Sequence, residues 1–399
     1  MPIRERLSGN EAVAYAMRQI NPDVMGAFPI TPSTEIPQIY SRYIANGEVD
    51  TEFVAVESEH SALSTCIGAE AAGARAVTAT SSAGLAFMWE LLHVASSSRL
   101  PITLACVCRA LTGPININND HSDAMNARDT GWIQIYAENN QEAYDNYLQA
   151  MPIAEHPAVR LPIMVCQDGF ITSHSVENIE LLEDDLVKPF VGDYEPENYL
   201  LKHENPMAVG PYGVSAYYME AKMAQAQAMV NAKQVILEVG RRYAELTGRR
   251  YGLFESYRME DAEEAIVLIG SSAGTARVCV DALRKAGRKA GMIKVRVYRP
   301  FPGEELAEAL QTVKAVAVMD KCESYSTHGG PLGAELRGAL YDAGLHPLLI
   351  NFVYGLGGRD FAVTDCKTVF DALEDALDRG TAAPAYRHLG QRGGDLSGL

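Results

Sequence analysis

The sequence predicts a two-part α/β protein built on parallel, doubly wound sheets. Three observations carry that prediction. Short apolar runs alternate with helix-length segments through roughly the first 190 residues. The same alternation restarts near residue 264 and continues to residue 353. Between the two lies a Pro- and acid-rich stretch, 181–213, that leads into a long helical segment, 215–247.

Taken in order, residues 24–30, 52–56, 74–80, 102–107 and 161–167 read as buried strands of a parallel sheet. Residues 9–21, 60–73, 84–97, 130–135 and 140–156 read as the helices between them, with Asn139 and Asn140 as caps for the last. The segment 181–213 has no clear period and reads as a surface connection. The helix 215–247 is rich in Ala, Met, Gln and Glu and has the character of an arm that packs on a neighbour. In the second part, 265–269, 290–297, 315–320 and 347–353 are strands, and 275–286, 304–312 and 332–343 are helices. The organisation expected is 1–200, a first α/β domain; 201–259, a connection and helical arm; 260–378, a smaller α/β domain; and 379–399, a mobile or partner-bound tail.

Composition narrows the function. The chain has 399 residues, 47% of them hydrophobic, enough for two or three domains. A net charge of -17 argues against a general nucleic-acid surface. No run of eighteen apolar residues occurs and the N-terminus is polar, so a cytoplasmic protein without a membrane span or signal peptide is expected. The seven cysteines are odd in number and dispersed, which is no disulfide framework. No C-x-x-C occurs, so this chain is not expected to bind an iron–sulfur cluster by itself.

The candidates for chemistry sit at predicted strand ends. The run F-P-I-T-P-S-T, 28–34, is a loop that Pro29 and Pro32 keep out of helix and ladder. It displays the Thr31, Ser33 and Thr34 hydroxyls where open α/β sheets place ligands. The run V-E-S-E-H-S-A, 56–62, delivers Glu57 and Glu59 at a strand-to-helix junction. Glu59 is poised there to exchange a proton with a ligand. The alternative is a carboxylate that serves only the first turn of the helix. Arg109, beyond the apolar run 103–108, can fork onto a substrate carboxylate or form a surface ion pair.

Asp120, His121 and Asp123 lie in a polar loop, 116–129, whose spacing fits no known metal pattern. A hydrogen-bonded loop over the site is the better reading, and no metal site is assigned. Gly270 to Gly274 reads as a close-packed turn, with phosphate binding on its amides as the alternative. The Gly-rich runs 326–336 and 354–360 hold no nucleophile–base pair and suit a subunit interface or a cofactor tail.

Together these motifs resemble the alpha subunits of the pyruvate:ferredoxin oxidoreductases, the pyruvate synthases among the 2-oxoacid:ferredoxin oxidoreductases. The resemblance covers nearly the whole chain. It rests on G-N-E-A (9–12), F-P-I-T-P-S-T, V-E-S-E-H-S-A, A-T-S-S-A-G-L (79–85), D-H-S-D, A-R-D-T-G-W (127–132), R-P-F-P (299–302) and Y-G-L-G-G-R-D (354–360). It implies a first domain that holds the pyrimidine half of thiamine diphosphate and a second domain like the transketolase C-terminal domain.

Residue by residue, the resemblance implies that Glu59 hydrogen-bonds the thiamine aminopyrimidine. It places Thr31 and Arg109 on the substrate's carbonyl and carboxylate, and Pro29 and Ile30 along the cofactor. Phe28 departs from the tyrosine common in the family. The G-D-G segment that holds Mg²⁺ and diphosphate is absent; its nearest counterpart, Gln167-Asp168-Gly169, lacks the first glycine. The implied partners are therefore a beta subunit carrying Mg²⁺–diphosphate and a [4Fe–4S] cluster, gamma and delta subunits, and ferredoxin, with coenzyme A as co-substrate. The rival readings are another 2-oxoacid (2-oxoisovalerate, 2-oxoglutarate or oxalate) and a non-catalytic scaffold.

Overall fold

The computed structural model describes residues 3–393. Its first sheet has seven strands, in the spatial order Val297–Arg299, Ile133–Tyr136, Ile163–Asp168, Thr103–Cys108, Ala76–Thr80, Val24–Ala27 and Glu52–Ala55. All neighbours run parallel except the first pair. The three strands at 76–80, 103–108 and 163–168 are buried along their whole length, as apolar runs without alternation require. The second sheet has six strands, ordered Tyr386–His388, Leu348–Val353, Ala315–Asp320, Glu264–Ile269, Ala290–Val295 and Phe254–Tyr257. Helices cover the faces of both. Among the described residues no helix is long and apolar enough to cross a membrane.

The structure departs from the sequence expectation at identifiable places. The segment expected as helix 130–135 overlaps the strand Ile133–Tyr136. All four of its residues are buried, so its pattern shows no exposed, polar face. The helix Glu35–Ala45 is an addition to the expected set; its Pro37 falls in the first turn, where a missing N–H costs little. The connection 181–213 contains the helix Asp184–Val191, and Val176–Leu181 pairs antiparallel with Ile3–Ser8.

The helical arm is Tyr218–Thr247, and only its first two turns stand clear of the chain. Tyr218, Met219 and Met223 are exposed, whereas Ala228, Ala232, Val235, Ile236, Val239 and Tyr243 belong to the core of the first sheet. The segment expected as a tail also docks: Tyr386–His388 adds to the second sheet, and Tyr386 and His388 both bond Glu323. Residues 394–399 of that expected tail lie outside the described residues.

The expected strand 290–297 divides between the two sheets. Ala290–Val295 runs in the second, then Val297–Arg299 crosses to pair antiparallel with Ile133–Tyr136 in the first. Arg296 marks the crossing. Its guanidinium donates to Asn146 Oδ1 at 2.8 Å, the Gly252 carbonyl at 3.0 Å and Gln149 Oε1 at 3.2 Å. Burial without a carboxylate in direct contact pushes its pKa down to about 10.

Charge joins the two units at a second place. Asp168 ends the strand Ile163–Asp168 and is fully buried. It accepts from Lys321 Nζ at 2.6 Å, from the Ser271 hydroxyl at 2.5 Å and amide at 3.1 Å, and pairs with His121 Nε2 at 2.7 Å. Burial is the largest influence on this carboxyl and opposes its charge. Lys321 and His121 together outweigh it and hold the pKa well below the ordinary carboxylate range. Nearby, Lys294 lies between Glu138 Oε2 and Glu142 Oε1, at 2.6 and 2.5 Å, and Arg277 pairs with Glu138 and Glu255.

Asp168→Asn leaves Lys321 buried without its anion. The expected cost is about 3–5 kcal/mol of unfolding free energy at neutral pH, read by guanidinium denaturation. A carboxyl whose folded pKa is depressed stabilises above its unfolded value, about 4, and loses that contribution as pH falls. The gap between variant and parent should therefore narrow on acidification below about pH 4.

Candidate active site

The strand order places 24–27 between 52–55 and 76–80, so successive connections leave this part of the sheet in opposite directions. A crevice opens at such a reversal, beyond the carboxyl ends of the strands. Four loops meet there: 28–34 after the first strand, 56–59 after the second, 81–84 after the third and 109–111 after the fourth.

Glu59 is the first residue of the helix Glu59–Ala72, which Ser58 caps by accepting from the Ser61 amide. The carboxylate is buried and has no hydrogen-bond or ion-pair partner among the described residues. Glu57 is exposed and bonds the Ser61 hydroxyl, so the two acidic residues have separate environments. Glu59 packs directly on Gly84: a Cβ there would stand 2.9 Å from Glu59 Oε1 and 2.4 Å from Thr80 Oγ1. The Thr80 and Ser81 hydroxyls are buried and unpartnered. Phe87 and Trp89, 57% and 43% exposed, form an apolar rim on the same helical segment, with Phe87 against His60.

Thr31 and Pro29 are exposed on the opposite loop, with Ile30 half-buried. That loop is tightened by Ser33, whose amide and hydroxyl both donate to the Ile30 carbonyl, at 2.9 and 2.8 Å. It is anchored from below by Asn10, which donates to the Pro32 carbonyl at 2.8 Å and accepts from Gln167 Nε2 at 3.0 Å. The G-N-E-A run thus orients the crevice.

Arg109 closes the ring. Its Nη1 donates to the Thr31 carbonyl at 2.9 Å and its Nε to the Asn116 carbonyl at 3.0 Å. It is buried, and no carboxylate pairs with its guanidinium among the described residues. Its backbone amide shares Asp123 Oδ2 with the amide of Ser82, at 2.9 and 2.8 Å. Asp123 therefore ties the segment facing Glu59 to the segment carrying Arg109. Burial raises the Asp123 carboxyl well above its usual range.

The other candidates have structural employment. Asp120 accepts from Ser122 and the Gly357 amide, His121 holds Asp168, and Asp123 receives three backbone amides. In the Gly270 to Gly274 turn, Ser271 receives the Asp168 carboxylate where a phosphate was considered. Within 326–336, the helix Pro331–Asp342 likewise starts on a carboxylate of the chain itself, Asp320, bound by the Leu332 and Gly333 amides. Cys106, Cys108 and Cys166 have their sulfurs within 4.8 Å of one another, fully buried in an apolar core with Leu104, Trp132 and Met164. Their setting is that of small packed hydrophobes. Asp123, Thr80 and Ser81 fall in motifs read from the sequence, but the sequence assigned them no part in the crevice. Their signal, polar residues at the ends of apolar strands, exists there but does not single them out.

Residues 15–241 match the family described as pyruvate flavodoxin/ferredoxin oxidoreductase, thiamine-diphosphate-binding. Residues 262–366 match pyruvate:ferredoxin oxidoreductase core domain II. The chain belongs to this oxidoreductase family. It is 49% identical to the pyruvate synthase subunit PorA of Thermotoga maritima, covering 98% of each chain. It is 44% identical to the ketoisovalerate oxidoreductase subunit VorA of Pyrococcus abyssi, covering 95% of each. A solved 2-oxoglutarate:ferredoxin oxidoreductase from Magnetococcus marinus shares the fold, with a TM-score of 0.71 at 20% identity. That likeness covers 93% of this chain and spans 65% of the solved one.

Gly84→Ala sets a methyl group against Glu59 and Thr80. The expected outcome is an assembled protein with unchanged circular dichroism and turnover lowered about a hundredfold, as displacements of this size produce.

Proposed function

We propose that this chain is the alpha subunit of a pyruvate synthase. With its partners it converts pyruvate, coenzyme A and oxidised ferredoxin to acetyl-CoA, CO2 and reduced ferredoxin, reversibly. The observation that carries the reading is the convergence of two unpaired charges on one crevice: the Glu59 carboxylate and the Arg109 guanidinium. Unpaired buried charges are costly, and their persistence at strand ends marks a ligand site.

The residues fit the pyrimidine half of thiamine diphosphate. Glu59 is a free acceptor, and the Thr80 and Ser81 hydroxyls are orphaned close by. When bound, thiamine diphosphate supplies the electron sink for decarboxylation. Glu59 holds a ring nitrogen and governs its proton. Pro29 and Ile30 line the cofactor's edge. Arg109 offers its remaining N–H groups as a fork for the substrate carboxylate, with its plane fixed by two backbone carbonyls. The Thr31 hydroxyl reaches the 2-oxo group.

Mg²⁺, the diphosphate end and the [4Fe–4S] clusters belong to partner subunits of beta, gamma and delta type in this reading. Asp168, the nearest counterpart of a diphosphate–metal aspartate, is wholly engaged by Lys321, His121 and Ser271. The exposed Phe87 and Trp89 beside Glu59 suit cover by such a partner. Coenzyme A and ferredoxin complete the reaction, and the complex is placed in the cytoplasm. A second substrate, 2-oxoisovalerate, is favoured by one specific observation: VorA matches this chain over 95% of its length at 44% identity.

The test is 2-oxoacid- and CoA-dependent reduction of a viologen dye by the purified complex, with pyruvate compared to 2-oxoisovalerate, 2-oxoglutarate and oxalate. Pyruvate should be preferred. Glu59→Gln should lower the rate at least about a hundredfold without loss of subunits. Full activity in an assembled Glu59→Gln complex would make the chain a scaffold.

A further inference from the structure

We propose that the second α/β unit holds the substrate-facing arginine in place, through a clamp of its 355–358 turn on the loop that follows Arg109. Asn116 and Gly357 are then positioning residues for Arg109. The inference rests on the reading of Arg109 as the carboxylate-binding group.

The loop 109–120 has no helix or strand, and Thr112 to Ile115, Ile117 and Asn118 are exposed. A loop so exposed has little apolar burial to order it. Yet Arg109 depends on it, because one of the two carbonyls that fix the guanidinium plane is that of Asn116. The other anchor, Thr31, leaves the guanidinium a pivot if Asn116 moves.

The anchoring of Asn116 comes from more than 200 residues away in sequence. Asn116 Nδ2 donates to the Gly357 carbonyl at 3.1 Å, and the Gly357 amide donates back to Asp120 Oδ2 at 3.2 Å. Asn116 Oδ1 meanwhile accepts from the Asn118 amide at 2.7 Å. The fit leaves little room for a side chain at Gly357 or Gly358. A Cβ on Gly357 would stand 2.4 Å from Asn116 Nδ2, and one on Gly358 2.4 Å from Asn118 Cβ. Both glycines also have left-handed backbones, with φ of 60° and 82°.

The turn is itself founded on rigid structure. It follows the strand Leu348–Val353 in the second sheet, and Gly355 sits over Lys321, the cation held by Asp168. Contacts therefore run without a break from Asp168 through Lys321 and the turn to Asn116 and Arg109. A site residue on a loop gains precision when its support rests on a sheet. The Y-G-L-G-G-R-D run, which has no nucleophile of its own, acquires a role by this route.

The experiment uses the intact complex and measures KM and kcat for pyruvate, with thermal unfolding in parallel. Gly357→Ala should raise KM about tenfold, with kcat nearly unchanged and unfolding temperature retained, because the clamp acts on ground-state placement of the carboxylate. Asn116→Ala should raise KM as well. The double variant should resemble Asn116→Ala alone, since both changes break one contact. An unmoved KM in Gly357→Ala, or effects that multiply in the double variant, overturns the proposal. Arg109→Lys separates the causes. If it raises KM while Gly357→Ala does not, the clamp alone is overturned; if it leaves KM unmoved, the reading of Arg109 and the clamp fail together.

Discussion

The buried carboxylate of Asp168 is the constraint around which the two halves are arranged. It stands at the end of a central strand of the first sheet and takes its cation, Lys321, from the second. A lone charge at that depth would neutralise rather than persist. Its stability is thus conditional on both sheets being present and in register. The same carboxylate fills the amide cradle at Ser271, so one residue both joins the units and closes a helix start that faces it.

The crevice lies on the first sheet and inherits its order from this junction. His121 and Asp123 stand two residues apart. One holds Asp168 and the other holds the amides of Ser82 and Arg109. The short run D-H-S-D therefore translates the position of the domain junction into the positions of two walls of the site. Against that dense internal pairing, Glu59 and Arg109 stand out because no opposite charge among the described residues compensates theirs. Preorganised groups of this kind do their work when a ligand supplies the missing partner.

Much of this was legible in the sequence, and what was hidden has a common cause. The alternation of buried strands and helices, and the polar loops at strand ends, follow from local pattern, so 24–27, 76–80, 103–108 and 163–168 and the places of Thr31, Glu59 and Arg109 could be read directly. The strand Ile133–Tyr136 could not, because it is short and buried throughout, and one of its partners, Val297–Arg299, comes from the second half of the chain. Nor could the links from Asp168 to Lys321 or from Asn116 to Gly357, which join positions 153 and 241 residues apart. Local spacing carries no record of such pairs. Asp120, His121 and Asp123 read as a hydrogen-bonded loop over the site, but the sequence does not name their distant partners Gly357, Asp168 and Ser82.

The strand Val297–Arg299 has a consequence for the order of events at the ribosome. It completes the edge of a sheet whose other six strands are all made by residue 168. At roughly 5–20 residues per second, Ile133–Tyr136 waits on the order of ten to thirty seconds for its neighbour. Through that interval Ile133, Ile135 and Tyr136 border an unpaired edge, the kind of surface on which nascent chains associate wrongly. The first unit is therefore sequential in synthesis but not autonomous in assembly. Its final contact has a large sequence separation, which places a slow, non-local step late in folding. Until Val297–Arg299 is made, that edge lacks the strand that pairs with it in the finished sheet.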